Sequence, residues 1–291
     1  MNFGSPFERP KFVPEFTDFS VFRGDGVGLT GSQGVLGSLL SQRLARHGVH
    51  CVAYTGDVND ERALAAWFAE QSLRYFFHFA AVVPITQVDA NPLLAFQTNV
   101  VGSFNVVKQL TLTQKQCWFF HCSSSHVYRP TSPANLIAED AIKEPHSFYG
   151  ETKLAAERLV ETLMSKLESP YCIGRVFSFT HARQAATYLV PGLRQRIESV
   201  RDGETLVLHN PSAVRDMQDA EHVIDVVLHL AGRAALGPIN IGSGIGRSVR
   251  DIALGIARSV GKVIQVAGAD QNVPSALIAD TTRLRKVLSA L

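Results

Sequence analysis

The stretch Val27-Gly28-Leu29-Thr30-Gly31-Ser32-Gln33-Gly34-Val35-Leu36-Gly37 decides the fold. Residues 27–30 form a short apolar run of strand type, and Leu36, Leu39, Leu40 and Leu44 then recur at helical spacing until Gly48 closes the segment. A glycine-rich turn between a strand and a helix is the context that a dinucleotide fingerprint requires. Gly31 would let the chain turn sharply, Gly34 would let backbone amides approach a pyrophosphate, and Gly37 would let the helix pack close to the sheet. The helix start, with Gln33, Val35 and Leu36 in the same loop, would face a diphosphate with unsatisfied N–H groups and a positive dipole.

Outward from this loop the text stays periodic. Residues 49–54 and 75–81 read as further strands with a helix over 62–71 between them, a βαβαβ pattern. Helices are expected over 99–110 and 150–164, and strands over 117–122 and 171–179. Helices alternating with apolar strands imply an α/β fold, a Rossmann doubly wound parallel sheet covered on both faces. After Phe179 turns multiply, so a smaller mixed α/β C-terminal substrate lobe is expected over 180–291, with about 216–255 packing back on the Rossmann domain of 24–179. Residues 1–23 are a Phe-rich leader: Phe3, Phe7, Phe12, Phe16, Phe19 and Phe22 recur while Pro6, Pro10 and Pro14 forbid a continuous helix. The plain reading of these aromatics is docking into grooves on the body of the same chain or of a second copy.

Composition narrows the partners. The 291 residues carry 28 basic and 26 acidic side chains with no run of like charge, so neither nucleic acid nor a membrane surface is expected as a partner. The four cysteines, Cys51, Cys117, Cys122 and Cys172, lack metal-ligand spacing and read as reduced thiols, and no metal is expected. No stretch approaches the roughly 18 to 20 apolar residues of a membrane span, and a cytoplasmic location is the expectation.

The chemistry is carried further on. Tyr149-Gly150-Glu151-Thr152-Lys153 opens the helix of 150–164, placing Tyr149 and Lys153 on one face, a turn apart. A phenol that titrates near pH 10 needs roughly 4 kcal/mol of phenolate stabilisation to serve as a base near neutrality. A neighbouring ammonium and a cationic nicotinamide can supply it. For an isolated pair the plain alternative is a core tyrosine and a solvated lysine. Upstream, however, Cys122-Ser123-Ser124-Ser125-His126-Val127-Tyr128 brings hydroxyls to the carboxyl edge of the sheet, where open α/β folds bind ligands. Serines there could equally cap a turn.

The order of these motifs resembles the NAD-dependent epimerase/dehydratase family of extended short-chain dehydrogenases. The likeness rests on Thr30-Gly31-x-x-Gly34-x-x-Gly37, Gly56-Asp57, His78-Phe79-Ala80-Ala81, Thr98-Asn99-Val100-x-Gly102, and Ser123-Ser124 before Val127-Tyr128. It continues through Tyr149-x-x-x-Lys153, Arg175, Arg215-Asp216 and Asn240-Ile241-Gly242-Ser243-Gly244. The resemblance implies that Tyr149 is the general base or acid, Lys153 its electrostatic partner on the nicotinamide ribose, and Ser124 the hydroxyl that binds the reacting oxygen. It implies a dinucleotide lined by Asp57, Val58, Ala80, Ala81 and Asn99, and a nucleotide-sugar substrate against Val83, Pro84, Ser124, Ser125, His126, Ser178 and Arg215. Arg215 would grip a substrate phosphate; its plain alternative is a surface ion pair with Asp216 or Asp219. It also implies a homodimer through a four-helix interface built from the helices over 99–110 and 150–164.

Departures from the family pattern narrow the reaction. Ser125-His126 stands where family 4,6-dehydratases carry an Asp-Glu pair, which leaves epimerisation or reduction of a keto sugar. The second strand ends Ala53-Tyr54-Thr55 with neither an acid nor an arginine, so NAD is favoured and NADP stays open. The short second and third strands are similar to those of the GDP-fucose synthase and dTDP-rhamnose reductase branches. The leading expectation is an NAD(P)-dependent nucleotide-sugar epimerase. A 4-ketosugar reductase, a non-catalytic dinucleotide sensor or scaffold, and a reductase of apolar alcohols are the alternatives.

Overall fold

The structure is a computed structural model and describes residues 7, 9–132, 135–270 and 275–289. Phe3 and Pro6 of the leader lie outside the described residues. In chain order the first half runs β1 (Val27–Thr30), α1 (Val35–Arg46), β2 (Cys51–Tyr54), α2 (Glu61–Ala69), β3 (Tyr75–His78), α3 (Ile85–Ala90) and α4 (Pro92–Phe96). A π-helical turn, Gln97–Gly102, then leads into α5 (Ser103–Thr113), β4 (Trp118–Ser124), α6 (Phe148–Lys166), β5 (Tyr171–Val176) and β6 (Phe179–Thr180). The remainder is α7 (Leu189–Ser199), β7 (Thr205–Val207), β8 (Val214–Asp216), β9 (Gln218–Asp219), α8 (Ala220–Gly232) and β10 (Gly237–Ile241). It closes with β11 (Gly246–Ser248), α9 (Val249–Ser259), β12 (Gln265–Ala267) and α10 (Thr282–Ser289).

Six parallel strands form the central sheet in the order β10-β5-β4-β3-β1-β2. Strands buried on both faces must be apolar on both: Phe76 and Phe119 face the layer of α2, α5 and α6, whereas Phe77 and Phe120 face α1, α8 and α10. Among the described residues a single strand, β2, lies beyond β1, because a short turn after Tyr54 leads to α2, whose N-cap Asp60 accepts from Ala63 N at 3.0 Å. A second core gathers α7 and α9 around the parallel pair β7 and β12.

Three elements differ from their sequence reading by three residues or more. The strand expected over 171–179 stops at Val176, because Phe177 N donates across to Ile241 O at 2.9 Å and Ser178 O accepts from Gln218 N at 3.0 Å. The chain bends there, and β6 pairs with β9 outside the main sheet. The helix expected from residue 99 begins earlier and passes through the π turn, where Ser103 Oγ donates to the Asn99 carbonyl at 2.7 Å. The third strand ends at His78, three residues short, so that Phe79 to Ala81 leave the sheet at its carboxyl edge.

The leader docks on its own chain. Phe16, Phe19 and Phe22 are buried in the core of α1 and α8, with Phe22 edge-on to Tyr75 at 4.9 Å. Phe16 N donates to the fully buried carboxylate of Asp225 at 3.0 Å, and Arg9 and Arg43 pair with that carboxylate at 2.7 and 3.0 Å. Phe7 enters the second core, with the Arg247 guanidinium 5.4 Å from its ring. One extended segment therefore touches both cores.

Candidate active site

The glycine loop has the geometry of a phosphate cradle. Gly31 adopts φ +73°, and a Cβ there would stand 2.6 Å from Ala80 N, so the loop lies directly on the carboxyl end of β3. A Cβ on Gly37 would stand 2.3 Å from Gly31 O, which fixes how closely α1 meets the turn. Gly34 caps α1 without a side chain, and the first helical turn holds no acid, so amides and the positive dipole end face the crevice. These residues fit a dinucleotide diphosphate. Gln33 is exposed on the loop and Val35 half-buried, while Leu36 is buried in the core and offers only its backbone.

Around this loop the structure gathers some expected residues and turns others away. Ala80 and Ala81 are half-buried at the sheet edge beside Gly31. Asp57 is exposed beyond β2, its Oδ1 accepting from Asn59 N and Nδ2, each at 2.9 Å. The Val58 side chain is buried against Gly102 of the π turn, and Asn105 Nδ2 holds its carbonyl at 3.0 Å. Asn99 is buried with its amide committed to the chain: Oδ1 accepts from Val82 N at 2.7 Å, and Nδ2 donates to Val82 O at 3.3 Å and Thr152 Oγ1 at 3.1 Å. It positions the loop after Ala81 on α6. Sequence reading missed Arg183, exposed on the loop after β6, whose Nη1 donates to Ser38 Oγ at 2.6 Å in the first turn of α1. The two are 145 residues apart, and no local pattern announces the pair.

Ser147 caps α6 by accepting from Gly150 N at 3.2 Å, and the helix then presents Tyr149, Lys153 and Glu157 on one face. The Ser124 hydroxyl accepts from His126 N at 3.2 Å, so its own hydrogen is available to the nearby Tyr149 phenol. Burial pushes the Tyr149 phenol above its ordinary value, and the Ser124 hydroxyl opposes that. Added positive charge is what would make it a base. Lys153 is buried and donates from Nζ to Cys122 O at 2.8 Å; burial pulls its pKa down.

Facing Tyr149 are groups suited to a polar substrate. The His126 ring lies edge-on to Tyr149 at 5.7 Å, and burial with the nearby Arg215 charge lowers its pKa to about 4, so it is a neutral imidazole. Arg215 donates to Val214 O at 2.9 Å and to Ser275 O. The ion pair considered for it does not form: Asp216 instead accepts from Ser243 N, Gly244 N and Ala279 N at 2.9, 2.9 and 3.2 Å, and Asp219 caps α8. The guanidinium thus keeps its charge beside His126. Ser125 is buried, Ser178 half-buried, and Val83, joined to Pro84 by a cis peptide, is exposed. Tyr188, at the N-cap of α7, lies close enough to Tyr149 for their charges to interact, another residue that sequence reading missed.

Beneath these groups a buried polar chain ties α6 to the sheet. Ser123 gives its hydroxyl to Glu157, which Arg175 grips; Arg175 Nη1 donates to Tyr128 OH at 2.7 Å, and Tyr128 OH donates to Asn240 Oδ1 at 2.7 Å. Among the described residues no cluster of His, Cys, Asp and Glu could hold a metal ion.

Residues 27–242 match the model of the NAD-dependent epimerase/dehydratase family. The UDP-glucose 4-epimerase of Halalkalibacterium halodurans is 24% identical over 258 residues, covering 81% of this chain and 76% of the relative. The GDP-6-deoxy-D-mannose reductase of Pseudomonas aeruginosa is 24% identical over 180 residues, covering 60% of this chain and 59% of the relative. The solved UDP-glucose 4-epimerase of Thermus thermophilus in complex with NAD superposes with a TM-score of 0.79 at 19% identity, covering 89% of this chain and 92% of that one. With its crevice fitted to a nicotinamide dinucleotide, the chain belongs to the NAD-dependent epimerase/dehydratase family.

Proposed function

We propose that the protein epimerises a nucleotide-diphosphate sugar through a transient keto sugar, with Tyr149 moving the hydroxyl proton. The observation that carries this reading is the placement of the Ser124 hydroxyl beside the Tyr149 phenol, with the neutral His126 edge-on to that ring and the Arg215 charge close to His126. The bound nicotinamide supplies a carbon that accepts and returns hydride and, when oxidised, a positive charge. Tyr149 takes the proton of a sugar hydroxyl as the same carbon gives up its hydride, and Ser124 holds that oxygen throughout. Lys153 supplies fixed positive charge on the tyrosine's helix face. Once the keto sugar has turned its other face, Tyr149 returns the proton to the oxygen and the carbon is inverted. Arg215 holds a phosphate of the nucleotide, and Val83, Pro84, Ser125 and Ser178 border the sugar.

A second reading, reduction of a 4-keto sugar, draws support from the sheet with its single strand beyond β1. A panel of UDP-, GDP- and dTDP-sugars, with and without NADPH, separates the two. Turnover without added reductant supports epimerisation, and NADPH consumption only with 4-keto sugars supports reduction. If neither occurs, and Tyr149→Phe leaves dinucleotide binding and every other property unchanged, the chain is a sensor or scaffold on this fold.

A homodimer belongs to the same proposal. Leu93, Phe96, Val101, Phe104 and Leu112 are exposed along α4, the π turn and α5, an apolar face suited to a second copy. The free cysteines support a reducing compartment, the cytoplasm. Among the described residues no helix is long and apolar enough to cross a membrane.

A further inference from the structure

The carboxyl half of the sheet carries a polar row that the proposed chemistry leaves without a task. Thr30, His78 and His121 stand in register on β1, β3 and β4, on the face covered by α5 and α6. The His78 tautomer follows from its partners. Ser103 spends its hydroxyl hydrogen on Asn99 O at 2.7 Å, so its oxygen accepts from His78 Nε2–H at 3.0 Å. Nδ1 is then the acceptor, and Thr30 Oγ1 donates to it at 2.7 Å. His78 is a satisfied core histidine.

His121 is different. It is 0% exposed and lies 5.6 Å from the His78 ring, yet among the described residues neither of its ring nitrogens has a hydrogen-bond partner. Leaving a buried polar group unpaired is unfavourable. Packing does not require that expense, because two residues earlier on the same two strands Phe76 and Phe119 stack at 6.3 Å. A buried imidazole of this kind is ordinarily satisfied by an internal water. Lys153, whose charge acts on this imidazole, donates to the carbonyl of Cys122, the residue after His121, with one of the three hydrogens of its ammonium. Burial, with a smaller contribution from the Lys153 charge, keeps both imidazoles neutral.

We infer that His121 is a positioning residue for Lys153: its neutral imidazole accepts, at one ring nitrogen, a hydrogen bond relayed from the Lys153 ammonium by a single buried water. The ammonium is then held at two points, the Cys122 carbonyl and the water, and its remaining hydrogen is directed to the cofactor crevice. The titratable groups around it are Tyr149 and Glu157 on its own helix, His78 on β3, and His121 and Cys122 on β4. The consequence for turnover rests on the role proposed above for Lys153, but the contact itself does not.

Two measurements test this. Among the ten histidines, nitrogen-15 resonances of His121 are identified by their loss in His121→Phe. In Lys153→Met the acceptor nitrogen of His121 is expected to move, whereas both nitrogens of His78, bonded to Thr30 and Ser103, stay in place. Lys153→Gln serves if Lys153→Met does not fold. A His121 signal indifferent to both variants overturns the inference. The second measurement is the pH profile of alcohol oxidation. His121→Phe removes the acceptor, lowers the Lys153 pKa further, weakens phenolate stabilisation and moves the rise in activity up by about one pH unit. His121→Gln, which keeps an acceptor, is expected to restore it; an unshifted profile in His121→Phe also overturns the inference. A coupled His121 signal in a protein that turns over no sugar would defeat the proposed function and leave this contact standing.

Discussion

Arg175 closes on Glu157 as a fork, Nη2 to Oε2 at 2.8 Å and Nε to both carboxylate oxygens at 3.1 Å, two turns along the helix from Tyr149. Both side chains are 3% exposed, so neither charge has water to fall back on. The pair anchors α6 to β5 and sets the height of Tyr149 and Lys153 over the sheet. Glu157→Leu strands the Arg175 charge and is expected to cost about 3–5 kcal/mol, whereas Glu157→Leu with Arg175→Met should lose much less. Urea melts of the parent, the single variant and the double variant check this; equal losses in single and double variants would refute it.

Tyr149→Phe should reduce turnover about 10²–10⁴-fold, because the variant keeps the ring and loses only the proton carrier. Dinucleotide affinity, read by NADH fluorescence, should stay within about twofold of the parent, a difference well under 1.4 kcal/mol. A large loss of NADH binding in this variant would assign Tyr149 to cofactor binding instead.

Gly31→Ala should weaken dinucleotide binding by at least about tenfold. At φ +73° a side chain is strained, and the added Cβ would stand 2.6 Å from Ala80 N, so the loop must leave the strand end it rests on. Gly34→Ala meets only Gly31 O at 3.3 Å and should fold normally. Titration of both variants and of the parent with NADH checks this, and parent-like affinity in Gly31→Ala would contradict the cradle.

Stability should fall in mild acid. His78 is depressed to about 3 and His126 to about 4, each chiefly by burial, and His121 lies well below its ordinary value. The unfolded chain binds protons at these sites near pH 6.5 that the folded chain refuses, so their full contribution is present above that pH. It is lost as pH falls from about 6.5 toward the folded values, at about 1.4 kcal/mol per pH unit for each histidine. Urea unfolding at pH 7.5, 6 and 5 tests the slope; a flat response would show that these imidazoles are not held neutral.

The leader and the outer helix face make opposite predictions. Phe16→Ala removes a buried ring packed on Phe19 and His229, both at 5.0 Å, and should cost about 3–5 kcal/mol in thermal or urea melts. Phe104→Glu, on the exposed face of α5, should leave the melting of a protomer nearly unchanged and halve the mass seen by sedimentation. A variant that sediments like the parent would remove α5 from any subunit interface.

Neighbouring residues alone dictate the local machinery: the turn of Gly31 to Gly37 after a strand, the alternation that makes a two-faced parallel sheet, and the spacing of Tyr149 and Lys153. Steric demands and a period of two or 3.6 leave few alternatives there. What distant segments do to one another emerges only on folding. Nothing near Arg175 points to Glu157, nothing near Ser38 to Arg183, and nothing near Phe16 to Asp225, which lies 209 residues away. The strand after Tyr171 reads as continuous to Phe179, but Ile241 and Gln218 draw Phe177 and Ser178 out of line. His121 reads as one more strand residue, and only strand register puts it beside His78 and within reach of the Lys153 charge. Pairing, register and burial belong to the assembled core, and no local period encodes them. They also choose which hydroxyl, guanidinium and imidazole face Tyr149.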